Sequence, residues 1–178
     1  RNNIMANFTE ILSKTIVAST QYRVTTNNKF SNIPASEAIA QIKQIPIGDK
    51  DGSHFLRTEL ILSDNGACLP RANSNAVNMA NLLILDCDKR IDKNGEILEG
   101  APDPHEVSQI LRANNIGHVL YGSYSHYAGD KGNRYRILAI TSNPYSQHQL
   151  SPTTEALISL INSGLVESLL ANVTENNT

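Results

Sequence analysis

The chain has 178 residues, with 15 Lys and Arg against 17 Asp and Glu and a formal net charge of −2. That length suits one domain able to bury a sizeable core. The charge balance excludes uniform electrostatic adhesion to nucleic acid or to an acidic membrane, and leaves only a local basic patch. Although 40% of the residues are hydrophobic, no apolar run approaches the roughly 18 residues of a membrane span, so no membrane partner is expected. No charged stretch followed by an apolar core opens the chain as a secretory signal would. Cys68 and Cys87 are its two cysteines. They are too few for a disulfide framework or a four-ligand zinc site, and a reducing cytoplasm is the expected compartment. The chain opens on Arg1 rather than Met. Residues 1–178 are expected to be a single domain cut from a longer protein.

Taken in chain order, residues 11–19 are apolar-rich and fit a short helix, or a strand over 15–20. Residues 21–32 are polar with repeated Asn and read as a loop. The spacing predicts a helix over 34–43, with Ser36 as its N-cap and Ile39 and Ile42 as its apolar stripe. A turn-rich break over 46–53 precedes a strand over 55–62, which ends at Ser63-Asp64-Asn65-Gly66. Residues 70–78 read as polar loop. Leu82-Leu83-Ile84-Leu85-Asp86-Cys87-Asp88 is a short continuous apolar run without helical spacing, which suits a strand buried on both faces. Residues 92–96 are a turn. A helix follows over 103–117, with Asp103 at the cap, Pro104 at its first position and Gly117 past its end. Residues 119–126 are a strand, 129–133 a hairpin-like connector and 134–141 a strand. A last helix is predicted from Ser151 to about residue 171, with Glu155 completing a capping box and Gly164 as a breaking point. The expected class is α/β (α+β), a mixed and partly antiparallel sheet with helices packed on one face. The tight connector before Arg134 implies antiparallel pairing there and argues against a purely parallel doubly wound sheet.

Asp86 and Asp88 carry the strongest chemical signal. They sit two apart at a strand end, so alternation puts both carboxylates on one face, about 7 Å apart at their base. Such a pair suits Mg²⁺ or Mn²⁺, ions that take oxygen ligands and share them with substrate phosphates. Read blandly, the same pair is two solvated acids opening a turn, with Lys89 and Arg90 beside them as neutralising partners. His126 ends the strand Tyr121-Gly122-Ser123-Tyr124-Ser125-His126 and shares a face with Gly122 and Tyr124, while Ser123 and Ser125 point the other way. It reads either as a donor to phosphate or as a satisfied surface histidine. His54, His105, His118 and His148 show no ligand-like spacing. Arg134 and Arg136 share a face of the next strand, and with Lys131 they form a basic patch. Arginine forks suit phosphate, although charge on an exposed strand edge also blocks unwanted pairing. Together these groups would bind a nucleoside triphosphate through its phosphates, as metal-assisted nucleotidyl transfer requires.

The apolar run ending in Asp86-Cys87-Asp88 resembles the first motif of the archaeo-eukaryotic primase superfamily, the primase-polymerase fold. It is most similar to the branch found in phage, plasmid and mobile-element replication proteins. Tyr121-Gly122-Ser123-Tyr124-Ser125-His126 resembles the second motif, a small residue, any residue, then His. Asn133-Arg134-Tyr135-Arg136-Ile137-Leu138-Ala139-Ile140 resembles the arginine-bearing strand that follows it. Arg71-Ala72-Asn73-Ser74-Asn75 resembles the polar stretch before the Asp strand. The resemblance covers about residues 55–160. It implies a core related to the RNA-recognition-motif sheet, with Asp86, Asp88 and His126 as catalytic residues. Asp86 and Asp88 would hold two divalent ions. Ser123, Ser125, His126, Lys131, Arg134 and Arg136 would contact nucleotide phosphates, and Arg71 and Lys131 would contact DNA. The implied partners are a DNA template, nucleoside triphosphates, and a helicase or origin-binding domain in the same or a partner chain.

One departure stands out. The family's third motif supplies another metal-binding Asp on a later strand, and here no Asp follows Asp130. Either that carboxylate lies beyond residue 178 or the domain is catalytically degenerate. Two alternatives follow: a non-catalytic DNA-binding replication-initiator module of the same fold, and a haloacid-dehalogenase-like phosphatase. The second is disfavoured by Lys89-Arg90 after the acid pair and by the lack of a late acidic pair.

Overall fold

In the computed structural model, residues 12–19, 30–44, 54–66, 69, 73–79, 81–92, 94–126 and 128–175 are described. Strand β1 is Thr15–Ser19, so the β-branched run Thr15-Ile16-Val17 takes its extended option. It pairs antiparallel with β2 (Phe30–Pro34) and β3 (His54–Leu56), in the order β2-β1-β3. Strand β2 corrects the loop expected through residue 32. As an edge strand it tolerates polar residues: Ser31 and Asn32 are exposed while Ile33 is buried. Residues 21–29 and the break over 46–53 lie outside the described residues.

Helix α1 is Ala35–Gln44. The Ala35 amide donates to the Lys14 carbonyl at 2.9 Å, which makes Ser36 the second helical residue and not the N-cap. Its inward stripe is buried Ala35 and Ala38 with half-buried Ile39 and Ile42. The strand expected over 55–62 is broken at Arg57. After Arg57 the chain leaves β3 and forms β4 (Thr58–Leu60), which pairs with β5 (Ala76–Met79) in a separate ribbon. The Arg57 guanidinium turns inward and donates to the Ile84 carbonyl. The turn at 63–66 is present, closed by the Gly66 amide on the Ser63 carbonyl at 2.8 Å. The loop expected over 70–78 instead holds a 3₁₀ turn at Asn73–Asn75 and then β5.

Strand β6 is Leu82–Cys87. Its neighbours along the chain are a hairpin of β7 (Lys89–Ile91) and β8 (Ile97–Glu99), helix α2 (Pro104–Ala113) and β9 (His118–Gly122). Within the hairpin the Asp92 carboxylate accepts from the Asn94 and Glu96 amides, both at 2.8 Å. Helix α2 starts as its punctuation predicts. Asp103 Oδ1 accepts from the His105 amide at 2.7 Å, and Pro104 holds the first position. It ends earlier than Gly117, because Asn115 takes the left-handed conformation at φ 56° that Asn tolerates better than most residues. Strand β10 is Tyr135–Ile140 and pairs antiparallel with both β6 and β9. The order β6-β10-β9 makes β6-α2-β9 a split β-α-β unit, with β10 inserted between its two strands.

Both faces of this sheet are buried, as the apolar run at 82–85 predicts. On one face Leu83, Leu85, Tyr135, Ile137 and Ala139 pack against Val107 and Leu111 of α2 and against Leu157 and Ile161. On the other, Leu82 and Leu138 pack against Ile33, Ala35, Ala38, Leu56 and Leu60. Helices therefore cover both faces rather than one. α1 and the first two strand groups occupy the second face because its apolar side chains also need cover.

The last helix, α3 (Gln147–Glu175), starts one turn before Ser151. Its capping box is Ser146 with Gln149: Gln149 Oε1 accepts from the Ser146 amide at 2.8 Å, and Ser146 Oγ also donates to it. The expected partners Ser151 and Glu155 do bond at 2.8 Å, but inside the helix. Pro152 lies within the helix, and Gly164 does not break it. Among the described residues no helix is long and apolar enough to cross a membrane.

Gly164 is needed for packing. A Cβ there would lie 2.7 Å from Ile110 Cγ2 on the facing helix α2. In an open helix, Gly→Ala gains up to about 1 kcal/mol. Here overpacking, which costs about 1–3 kcal/mol, opposes that gain. Gly164→Ala should therefore lower the melting temperature by a few degrees. In an Ile110→Ala background the same change should raise it, and a double-mutant cycle by thermal unfolding measures the coupling.

Candidate functional site

The carboxyl ends of β6 and β9 and the start of β10 meet at one end of the sheet. The β6–β10 register sets Asp86 opposite Arg136. Arg136 Nε lies 3.4 Å from Asp86 Oδ1, and its Nη2 donates to Oδ2 at 3.4 Å. The Asp86 side chain is 62% exposed. On the far side of β10, Tyr121 stands opposite Arg136. Just past the end of β6, Asp88 Oδ2 lies 3.9 Å from Arg134 Nη1. Arg134 is the most enclosed of these ions at 16% exposure, and its Nη2 donates to Glu99 Oε2 at 2.6 Å. Lys89 Nζ also reaches Glu99, at 3.6 Å. The partners of Asp86 and Asp88 are thus Arg136 on β10 and Arg134 just before it, rather than Lys89 and Arg90. Asp88, Arg134, Glu99 and Lys89 form one connected ion network, and Asp86 with Arg136 forms a separate pair beside it. The hairpin joins it because the Gly100 amide donates to the Asp88 carbonyl and the Ala101 amide to the Asn133 carbonyl.

Electrostatics follow from this arrangement. The hydrogen bond from Arg134 holds the Glu99 carboxyl below the usual glutamate range, with Lys89 assisting. Between the two acids, Cys87 turns to the other face and packs against the core. Burial, then the charges of Asp86 and Asp88, push its thiol up to about 12, so it is not a nucleophile near neutrality. Opposite Cys87, Tyr135 is buried, and its hydroxyl has no hydrogen-bond partner among the described residues. Among the described residues no group of three His, Cys, Asp or Glu side chains is placed to hold a metal ion.

His126 does not end β9. The strand stops at Gly122, and residues 123–126 form a turn. The Ser123 amide donates to the Arg134 carbonyl at 2.9 Å, and the His126 amide to the Ser123 carbonyl at 3.0 Å. The Arg134 amide donates to His126 Nδ1 at 2.9 Å, which leaves the ring hydrogen on Nε2. The ring lies where a Gly122 side chain would be, 3.3 Å from an ideal Cβ. Gly122 stands opposite Tyr135, so the imidazole is on the Tyr135 face. Asp86 and Arg136 occupy the opposite face. The expected convergence of the imidazole and the two acids on one pocket is not found. Glycine at 122 gives room to this ring rather than to a ligand.

The remaining expected site residues are dispersed. Lys131 is exposed in the 3₁₀ turn Gly129–Lys131. Ser123 and Ser125 are half-buried in the turn. Arg71 lies outside the described residues. Glu99 was missed by sequence reasoning, because only the hairpin fold carries it to Arg134. The histidine at 118 is structural, as expected: Ser108 Oγ bonds its Nε2 at 2.8 Å and the Ile116 carbonyl bonds its Nδ1 at 2.8 Å. No family model, curated protein or solved structure matches the chain.

Two tests follow. The Glu99 carboxyl should titrate below the usual range by NMR and rise towards it in Arg134→Ala, with Lys89 still lowering it. The folded-state value is the depressed one. The pair's stabilisation is therefore in place above the unfolded value and is lost as the pH falls through the folded one. Separately, His126→Ala should speed hydrogen exchange at the Arg134 amide, through loss of a bond of about 1 kcal/mol. Unchanged protection there would refute the clasp.

Proposed function

We propose that the chain is a divalent-metal-dependent nucleotidyltransferase module of the primase-polymerase type, acting on nucleic acid in replication. The carrying observation is the register that sets Asp86 against Arg136, with Arg134 3.9 Å from Asp88 just past the paired residues. A metal–triphosphate is itself an ion pair. When it arrives, its cation can take the carboxylates while its phosphates take the guanidinium groups, so no charge is left uncompensated. Exposed salt bridges are worth about 0.2–1 kcal/mol, so opening the Asp86–Arg136 pair costs little, while Asp88 lies 3.9 Å from an Arg134 whose shorter contact is with Glu99. Magnesium is commonly held by one or two carboxylates plus substrate phosphates. That suits a site with two acids and no three-ligand cage among the described residues.

In this reading Asp86 and Asp88 hold magnesium or manganese, which when bound activates the phosphate as a Lewis acid. Arg134 and Arg136 orient the triphosphate and offset charge on the transferred group. Lys131 and Arg71 are assigned to the template DNA. The strand order β6-β10-β9 around α2 supports the reading, since an RNA-recognition-motif-like core is built on a split β-α-β unit. His126 acts here through Arg134 and makes no phosphate contact.

A second reading, the non-catalytic DNA-binding module of the same fold, is favoured by the imidazole on the opposite face and by acids already neutralised in the resting state. Differential scanning fluorimetry separates the two. With Mn²⁺ and a nucleoside triphosphate together at 100 times the dissociation constant, the wild type should gain about 2.7 kcal/mol, a rise of several degrees for a chain this long. Asp86→Ala should abolish the gain. A melting curve unmoved by saturating metal and nucleotide removes the catalytic reading. DNA binding that survives loss of both acids but falls in Arg134→Ala with Arg136→Ala would then support the second.

A further inference from the structure

The turn at 123–126 is closed more tightly than a connector requires. Three hydrogen bonds make it a ring fastened to one residue: Ser123 amide to Arg134 carbonyl, Arg134 amide to His126 Nδ1, and His126 amide to Ser123 carbonyl. Ser125 adds a fourth restraint, its carbonyl accepting from the Ala128 amide at 3.1 Å. The Gly122 backbone packs under the imidazole. At the tip stands Tyr124, 67% exposed. Among the described residues it is the one aromatic in the set of large, exposed hydrophobic side chains; the others are aliphatic, on the β4–β5 ribbon, the β7–β8 hairpin and α3. The ring that carries Tyr124 is fastened to Arg134, which neighbours Asp88 and belongs to the charged network at the same sheet end.

We propose that Tyr124 is a stacking platform for an unpaired nucleobase of single-stranded nucleic acid. The proposal rests on the nucleic-acid reading above and adds to it a contact that needs neither the metal nor the triphosphate. Stacking requires an aromatic face that is open, held still and close to cations that track the phosphates. Burial of an exposed tyrosine against a base removes apolar surface from water. Because the turn is already ordered, little conformational entropy is lost on binding. Exposed Lys131, on the connector between this turn and β10, is suited to the adjoining phosphate. Since every base presents a π-face, the contact should be nearly indifferent to sequence.

The test uses fluorescein-labelled oligo-dT, without metal or nucleotide, at low salt. Tyr124→Ala should weaken binding by about 5- to 150-fold, while Tyr124→Phe should bind as the wild type does. The chain contains no tryptophan, so Tyr124→Trp installs a single reporter whose emission should be quenched when the oligonucleotide is added. Unchanged melting temperatures confirm that the variants fold. Oligonucleotide binding that is equal in wild type and Tyr124→Ala, or a tryptophan signal that saturating oligonucleotide does not move, overturns this proposal and leaves the nucleotidyltransferase reading standing. Absence of any oligonucleotide binding by the wild type overturns both this proposal and the nucleic-acid partner it rests on.

Discussion

Strand β10 is hydrogen-bonded on both sides, to β6 and to β9, so every residue from Tyr135 to Ala139 has an assigned partner left and right. Its side chains alternate across the sheet. Tyr135, Ile137 and Ala139 go to the face covered by α2 and α3, and Leu138 goes to the face covered by α1 and the strands before it. Arg136 falls on the second face at the sheet's end, level with Asp86 and Tyr121. A slip of one residue would send the arginines into the apolar cluster and Tyr135 out to solvent. The cost of burying an unpaired guanidinium thus enforces the register that assembles the charged site.

The free side of β6 is managed by side chains rather than by another strand. The Tyr145 hydroxyl donates to the Leu82 carbonyl, and the Arg57 guanidinium to the Ile84 carbonyl. Both carbonyls lie on the side away from β10, where an unprotected edge would invite pairing with another chain. The same need accounts for the break between β3 and β4. Arg57 leaves its strand to reach β6, and the chain changes partner at that point.

At the sheet's end the charges are paired across strands, and the more exposed of these pairs add little stability. Exposed pairs such as Asp86–Arg136 contribute little to folding. The β6–β10 register sets the Asp86 carboxylate and the Arg136 guanidinium on one face with their charges balanced. Arg134 differs from Arg136 because it is mostly enclosed and tied to Glu99, and its backbone carries the turn at 123–126 from both its amide and its carbonyl. It is the link between the ion network and the loop beyond β9.

Much of the fold was legible in the residues. The double-faced burial of β6 followed from four consecutive apolar positions. The start of α2 followed from Asp103 and Pro104. The antiparallel β9–β10 pair followed from a short Gly-containing connector. What failed did so for local reasons. Ser36 and Ser151 each resembled a cap, but Ala35 found a partner in Lys14, and Ser146 with Gln149 made the better capping box one turn upstream. Polar segments near 31 and 76 became strands because an edge needs only one buried face.

Local sequence by itself determined which residues are chemically able: two acids at a strand end, paired arginines, a histidine after a glycine. Alternation along one strand is a short-range property, and so it was readable. Only the tertiary structure decided who meets whom. It brought Glu99 to Arg134 through a hairpin, set Arg136 rather than Lys89 against Asp86, and turned the imidazole to the other side of the sheet. A tight turn after Gly122 resets which way a side chain points, and no spacing rule carries through a turn whose geometry is set by the strand it is fastened to.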